Sequence, residues 1–194
     1  MLRGPQLAGL GLLAALWLSP LPGLAAGSMV LHMVLHLGVT AVVPALLAPA
    51  LPVLRLGPMA LVLGAAFEMV VVWAWHLPSL HLWARLSGLG FALEQGSFLA
   101  AGLVLWVVVR AAGPFGGAVV LMSVTMHMTL LGALIGLAPR PIWGEICAGH
   151  LGLSAMQEQQ LAGVLMAGGG GALYLVAALG RLGRAVRGRA EEWA

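Results

Sequence analysis

The sequence predicts an all-α integral membrane protein: a bundle of five transmembrane helices preceded by a signal peptide or one extra span. Three observations carry that prediction. Hydrophobic residues make up 61% of the 194-residue chain and charged residues only 8%, where a soluble domain carries about 25% charged residues, and the mean hydropathy is +1.04. The apolar residues form runs close to the roughly 20 residues needed to cross a hydrocarbon core. Proline and glycine punctuate those runs and leave only short connections.

Residues 1–26 contain Arg3, run apolar to Leu18, break at Pro20 and Pro22, and offer a small-x-small cleavage pattern at Gly23-Leu24-Ala25. This reads as a signal peptide or as an uncleaved first span, and both place Gly27 outside the cytoplasm. Spans over 29–50, 58–77, 89–110, 115–138 and 159–180 follow, separated at Pro49 and Pro52, Pro78, Gly113-Pro114, and Pro139 and Pro141. Residues 27–180 are therefore expected to form one helical bundle and 181–194 a basic cytoplasmic tail.

All nine cations are Arg, and the chain has neither Lys nor Asp. The C-terminal Arg181, Arg184, Arg187 and Arg189 set the end of the last span inside, against anionic headgroups. Counting back puts Arg110 and Arg55 in cytoplasmic turns, with Arg85 and Arg140 in outer loops and outnumbered. Counting forward from an exported Gly27 gives the same orientation. Trp73, Trp75, Trp83 and Trp143 fall at the outer surface as an aromatic belt. No basic face is interleaved with aromatics, so nucleic acid is excluded as a partner. Cys147 is the only cysteine, which excludes an internal disulfide.

With this topology, all six histidines lie in the outer half of the membrane, at its midplane, or in outer loops. At about 1.5 Å of rise per residue, His76, His81 and His150 sit at the outer surface and His32 about one turn inside. Glu94 and His36 are roughly 8–10 Å deep, and Glu68 and His127 lie near the midplane on different spans. The inner halves of the spans lack acidic and His residues. Ionisable groups in hydrocarbon face the bundle interior and carry function by default, so a one-sided ladder suggests a cavity open to the periplasm and closed to the cytoplasm.

Met29, His32, Met33 and His36 share one helical stripe. Imidazole with thioether favours Cu(I) over hard cations, which want carboxylates, and over zinc, which would want more Cys or carboxylate. The candidate metal ligands are His32, His36, His76, Met29, Met33 and His127; Glu94, Glu68, His81 and Met128 are second-shell or transfer candidates. Met122 and Met166 are expected in the core, and Gly168 to Gly171 should permit close helix contact or a kink. His81, Cys147 and His150 read as solvated loop residues. Glu94 pairing with Arg85, and Glu68 with His127, are the structural alternatives to a transport role.

Several stretches carry a resemblance: His32-Met-Val-Leu-His36, Trp73-Ala-Trp75-His76-Leu-Pro78, and Glu94-Gln-Gly-Ser97-Phe98-Leu99-Ala-Ala-Gly102-Leu103. They continue with Met128-Thr129-Leu130-Leu131-Gly132-Ala133 through Pro139-Arg140-Pro141, Gln159-Gln160-Leu161-Ala-Gly163, and Gly170-Gly171-Ala-Leu-Tyr174-Leu. In these the chain resembles the polytopic CtaG family of cytochrome c oxidase assembly factors over about residues 28–180. The resemblance implies a non-enzymatic protein of the bacterial inner membrane that helps mature haem–copper oxidase, handling copper for the CuB centre. Its implied partners are the nascent oxidase catalytic subunit and a periplasmic copper chaperone. Three departures stand out: Glu94-Gln95 replaces the family's usual Glu-His, Glu158 replaces its Asp before Gln-Gln, and Ala167 and Gly169 replace the Trp and Pro of the last span. The chain also has fewer spans than the longer members. Two other functions compete: a haem-binding redox protein with axial ligands among His36, His76 and His127, and a copper or proton transporter. His32 and His36 on one face cannot clasp both sides of a haem, and a transporter would need ligands in the inner half.

Overall fold

The computed structural model describes residues 3–147 and 152–192, and among these every regular element is helical. Five helices are long and apolar enough to cross a membrane: α3 (Met29–Ala50), α4 (Pro58–Trp75), α6 (Gly88–Ala111), α7 (Gly113–Gly136) and α8 (Ala155–Gly188). Two short helices precede them, α1 (Gly4–Leu18) and α2 (Leu21–Ala25), and α5 (Pro78–Leu86) joins α4 to α6. The chain is an all-α membrane bundle with span boundaries close to those the sequence predicts. The last helix continues through the basic residues after position 180 to Glu192.

Local chemistry sets the helix starts. Ser28 caps α3 by accepting from Leu31 N–H, and Ser87 caps α6 by accepting from Gly90 N–H. Ser154 and Gln157 form a reciprocal capping box at the start of α8. Proline stands in the first turn of α4, α5 and α7, where its missing N–H leaves no intrahelical bond unmade.

Successive spans run antiparallel, so the bundle has two chemically distinct ends. The start of α3, the end of α4, α5, the start of α6, the end of α7 and the start of α8 meet at a histidine end. Arg55, Arg110 and Arg181 lie at the opposite end, where Arg110 donates to the carbonyls of Ala48 and Leu51 and Arg181 to those of Val109 and Gly113. α1 lies antiparallel to α3: Gly9 faces Leu46 and Leu47, and Leu16 faces Gly38.

Two close helix approaches fix the registers. A Cβ at Gly102 of α6 would stand 2.2 Å from the Thr40 carbonyl oxygen and 2.5 Å from Pro44 Cγ, so only glycine admits α3 at this depth. Gly132 of α7 and Gly163 of α8 meet backbone to backbone, each Cβ falling at 2.5 Å from a backbone nitrogen of the other helix, a small-residue contact typical of membrane helices. Two π-helical turns interrupt the spans, Gly38–Val42 in α3 and Leu165–Gly170 in α8. The glycine run at 168–171 thus distorts α8 and brings it against α3 and α7.

Candidate metal centre

Four histidines converge at the histidine end. His32 and His36 come from adjacent turns of α3, His76 from the residue capping α4, and His81 from α5. The ring centroids of His32 lie 4.8 Å from His81, 5.9 Å from His76 and 6.2 Å from His36, and those of His36 and His76 are 5.1 Å apart. Glu94 of α6 completes the group: ligand atoms of His32, His81 and Glu94 lie within 4.8 Å of one another, and all three residues are buried. Modest side-chain shifts bring such a set onto one ion at the roughly 2.0–2.2 Å typical of imidazole and carboxylate ligands. Phe98 walls the inner side, 4.3 Å from the His36 ring. Trp143 covers the outer side, 5.0 Å from the His81 ring.

Hydrogen bonding orients the imidazoles. His76 Nδ1 lies 2.7 Å from the Val72 carbonyl oxygen. A carbonyl only accepts, so Nδ1 carries the proton and Nε2 keeps its lone pair, the arrangement usual for a metal-ligating histidine. His36 Nδ1 lies 3.3 Å from Thr40 Oγ1, and its Nε2 is buried without a hydrogen-bond partner. His81 is hydrogen-bonded to the Trp75 backbone. Burial, and then the nearby Arg85 guanidinium, hold His81 well below the ordinary imidazole value; burial pushes His76 down to about 4. Both are therefore neutral at neutral pH, the form that binds metal.

The cluster is under-satisfied. Both ring nitrogens of His32, Nε2 of His36 and of His76, and Oε1 of Glu94 are buried without a hydrogen-bond partner. Each such atom costs about 1–3 kcal/mol, and a native protein holds few of them. These atoms, with His81, form a donor set whose chemistry suits a cation, and Arg85 Nε and Nη1 are buried unpartnered beside them.

Two sequence expectations change here. The residues around His81 form a helix rather than a solvated loop, and His81 is fully buried. Pro78 was expected to end a span; it also begins α5, because the first helical turn tolerates proline. Arg85, one turn after His81, follows it inward: its side chain is 1% exposed and pairs with Glu94. The spacing of four between His81 and Arg85 is the signal that could have revealed this shared face. Of the predicted tryptophan belt, Trp75 and Trp83 stack at 6.0 Å, while Trp143 is buried over His81.

The remaining candidates separate from the cluster. His127 Nε2 lies 2.8 Å from Glu68 Oε2, a buried pair between α7 and α4. Met29 and Met33 are buried on α3 beside His32 and His36. Met128 is buried with its methyl close to Gly170 of α8, in the helix packing. Met166 is core as expected, but Met122 is 42% exposed and Met126 70% exposed, on the outer surface of the bundle. His150 lies outside the described residues.

Three positioning residues were not anticipated as such. Glu158 is buried and its carboxylate accepts from Ser28 Oγ at 2.8 Å and from Val30 N–H at 2.8 Å. It thereby pins the α3 N-terminus, where an anion is favoured by the helix dipole, and sets the histidine stripe. Gln159 accepts from Ile142 N–H and donates to the carbonyls of Ile135 and Arg140, fixing the loop that carries Trp143. Gln95 donates to Glu94 and accepts from Trp17 Nε1, which links α1 to the site. A cleft of about 370 Å³ lined by Pro78, Ser79, His81, Ile142 and Trp143 opens beside the cluster.

The model of the cytochrome c oxidase caa3 assembly factor family (Caa3_CtaG) matches residues 6–187. The chain belongs to that family. No curated protein and no solved structure matches it. Family membership makes this a cytochrome c oxidase assembly factor, and the match includes α1 along with every span. Within this Caa3_CtaG protein, the matched region holds the whole histidine–glutamate cluster.

Proposed function

We propose that this assembly factor is not an enzyme but a copper carrier of the bacterial inner membrane, which receives copper on the periplasmic side and hands it to the nascent oxidase catalytic subunit for the CuB centre. The observation that carries this reading is the convergence of His32, His36, His76, His81 and Glu94 with several buried nitrogens unpartnered. The excess of arginine at the opposite end orients that end, and the C-terminus, toward the cytoplasm. The cleft beside His81 is then the entry from the periplasm, where a periplasmic copper chaperone would dock. His81 receives the ion; His32, Glu94, His76 and His36 hold it, with Met29 and Met33 on the same helix as soft donors. His127 and Glu68 mark the deep limit of the polar path. Release is lateral, because the inner half of the bundle offers no further ligands.

The test is copper and haem content of the detergent-purified protein after anaerobic Cu(I) loading and washing. The expected result is about one copper per chain, no Soret band, and at least a tenfold loss of copper affinity in His32→Ala/His81→Ala, the scale on which metal sites respond to lost support. Undiminished copper in the double variant would sink the proposal, and a Soret band would replace it with a haem-binding role.

A further inference from the structure

Arg85 is an anomaly in a site proposed to bind a cation. It is buried, donates to Glu94 Oε2, and its guanidinium stands 5.7 Å from the Phe91 ring. The carboxylate and the aromatic ring hold it beside the histidines, while its Nε and Nη1 are buried without a hydrogen-bond partner. Arg does not lose its proton in proteins, so the charge is permanent. Taken alone, the donor set of imidazoles and a carboxylate suits a divalent ion such as zinc or Cu(II). The charge balance says the opposite. Glu94 and Arg85 cancel, Glu68 is engaged with His127, and Glu158 with Ser28 and Val30. A monovalent ion would therefore leave the cluster one charge in excess, and a divalent ion two, in a buried setting where the cost of charge rises steeply.

We infer that Arg85 is the charge-selectivity residue of this cluster: by neutralising Glu94 it makes the site prefer a monovalent over a divalent metal ion. The inference rests on the cation-binding reading above. One fixed charge about 6 Å away, at an effective dielectric constant of about 20, shifts the relative binding of a +1 and a +2 ion by roughly 100-fold.

The test is competitive titration of the purified full-length protein with chelator-buffered Cu(I) and with Zn(II), in wild type and four variants. Arg85→Lys keeps the charge and should keep the wild-type selectivity. Arg85→Met should move the Zn(II)-to-Cu(I) affinity ratio about 100-fold toward zinc. Arg85→Met/Glu94→Gln, again charge-balanced, should return the ratio toward wild type. Glu94→Gln alone leaves the arginine unopposed and should move the ratio away from zinc. If Arg85→Met does not fold, Arg85→Met/Glu94→Gln against Glu94→Gln still decides, because both lack the Glu94 carboxylate ligand and differ only in the charge at position 85: the double variant should lie about 100-fold nearer zinc. A ratio constant within about threefold across the folded variants, with metal bound, overturns the selectivity role alone. Failure of wild type and every variant to bind either ion overturns the metal reading itself.

Discussion

At the arginine end of this bundle, Arg110 and Arg181 each donate to two backbone carbonyls near the helix ends. At the histidine end, His32, His36 and His76 bury ring nitrogens that meet no partner, and Glu94 buries an oxygen likewise. Both ends place ionisable side chains inside an apolar bundle. One end uses them chiefly to satisfy carbonyls that a helix terminus leaves open, with Arg181 Nε left unpartnered; the other leaves several imidazole nitrogens and a carboxylate oxygen open together. Polar residues that close their own hydrogen bonds hold a fold together, and polar residues that leave them open point to something the chain binds.

That contrast depends on the helices staying in register, which gives the largest expected effect. Gly102→Leu should destabilise the protein by more than about 3 kcal/mol, because its side chain would collide with the Thr40 carbonyl and Pro44. The readout is recovery of monodisperse protein by size exclusion and the midpoint of thermal unfolding. Gly96→Ala is the control: a Cβ there meets nothing within 4 Å, and stability should change by less than about 0.5 kcal/mol.

The contrast itself is tested by removing one polar group from each end. Arg110→Met should lower the stability of the metal-free protein by about 1–3 kcal/mol, since the carbonyls of Ala48 and Leu51 lose their donor. His32→Leu should do the reverse and raise it by about 0.5–2 kcal/mol, because two orphaned nitrogens disappear while apolar volume is kept. Thermal unfolding with chelator present gives both values. A clear loss of stability in His32→Leu would mean that the histidines are structural, and the distinction between the ends would collapse.

Acid should weaken the histidine end. His76 is pushed down to about 4 and His81 lies well below 6.5 in the folded protein, while an unfolded histidine has its pKa near 6.5. The unfolded state therefore binds more protons through this window, and stability rises with pH across it. The contribution is complete above about 6.5 and is lost as pH falls toward 4. The unfolding midpoint of the metal-free protein should drop between those values, with a shallower drop in His76→Leu. An identical slope in the variant would remove His76 from the account.

Much of this was legible in the sequence. Hydropathy and the Pro/Gly breaks located the spans, and the His32/His36 stripe followed from helical spacing. The Arg85–Glu94 and Glu68–His127 pairs stood as alternatives to a transport role. The rest was hidden for identifiable reasons. Pro78 signals both a helix end and a helix start, so α5 and the inward turn of His81 were missed. The ties from Glu158 to Ser28 and from Gln95 to Trp17 join residues 130 and 78 positions apart, and no local periodicity encodes such contacts. Residue type drew attention to the methionines, but type does not say which side of a helix faces a neighbour.

The methionines give the smallest expected effect and separate composition from placement. Met122 and Met126 are spaced by four beside His127, as soft ligands would be, yet both lie exposed on the outside of α7, whereas Met29 and Met33 are buried on the histidine stripe. Met126→Leu should leave copper retention and the unfolding midpoint within error, since the side chain faces lipid on either reading. Met166→Leu, a nearly volume-conserving change in the core, should cost less than about 1.5 kcal/mol and leave copper untouched. Met29→Leu/Met33→Leu should keep the fold equally well but lower Cu(I) retention relative to Zn(II), because only the soft ion gains from thioether donors. Equal losses of both ions would assign those two methionines to packing, and the site would then be one of imidazole and carboxylate alone.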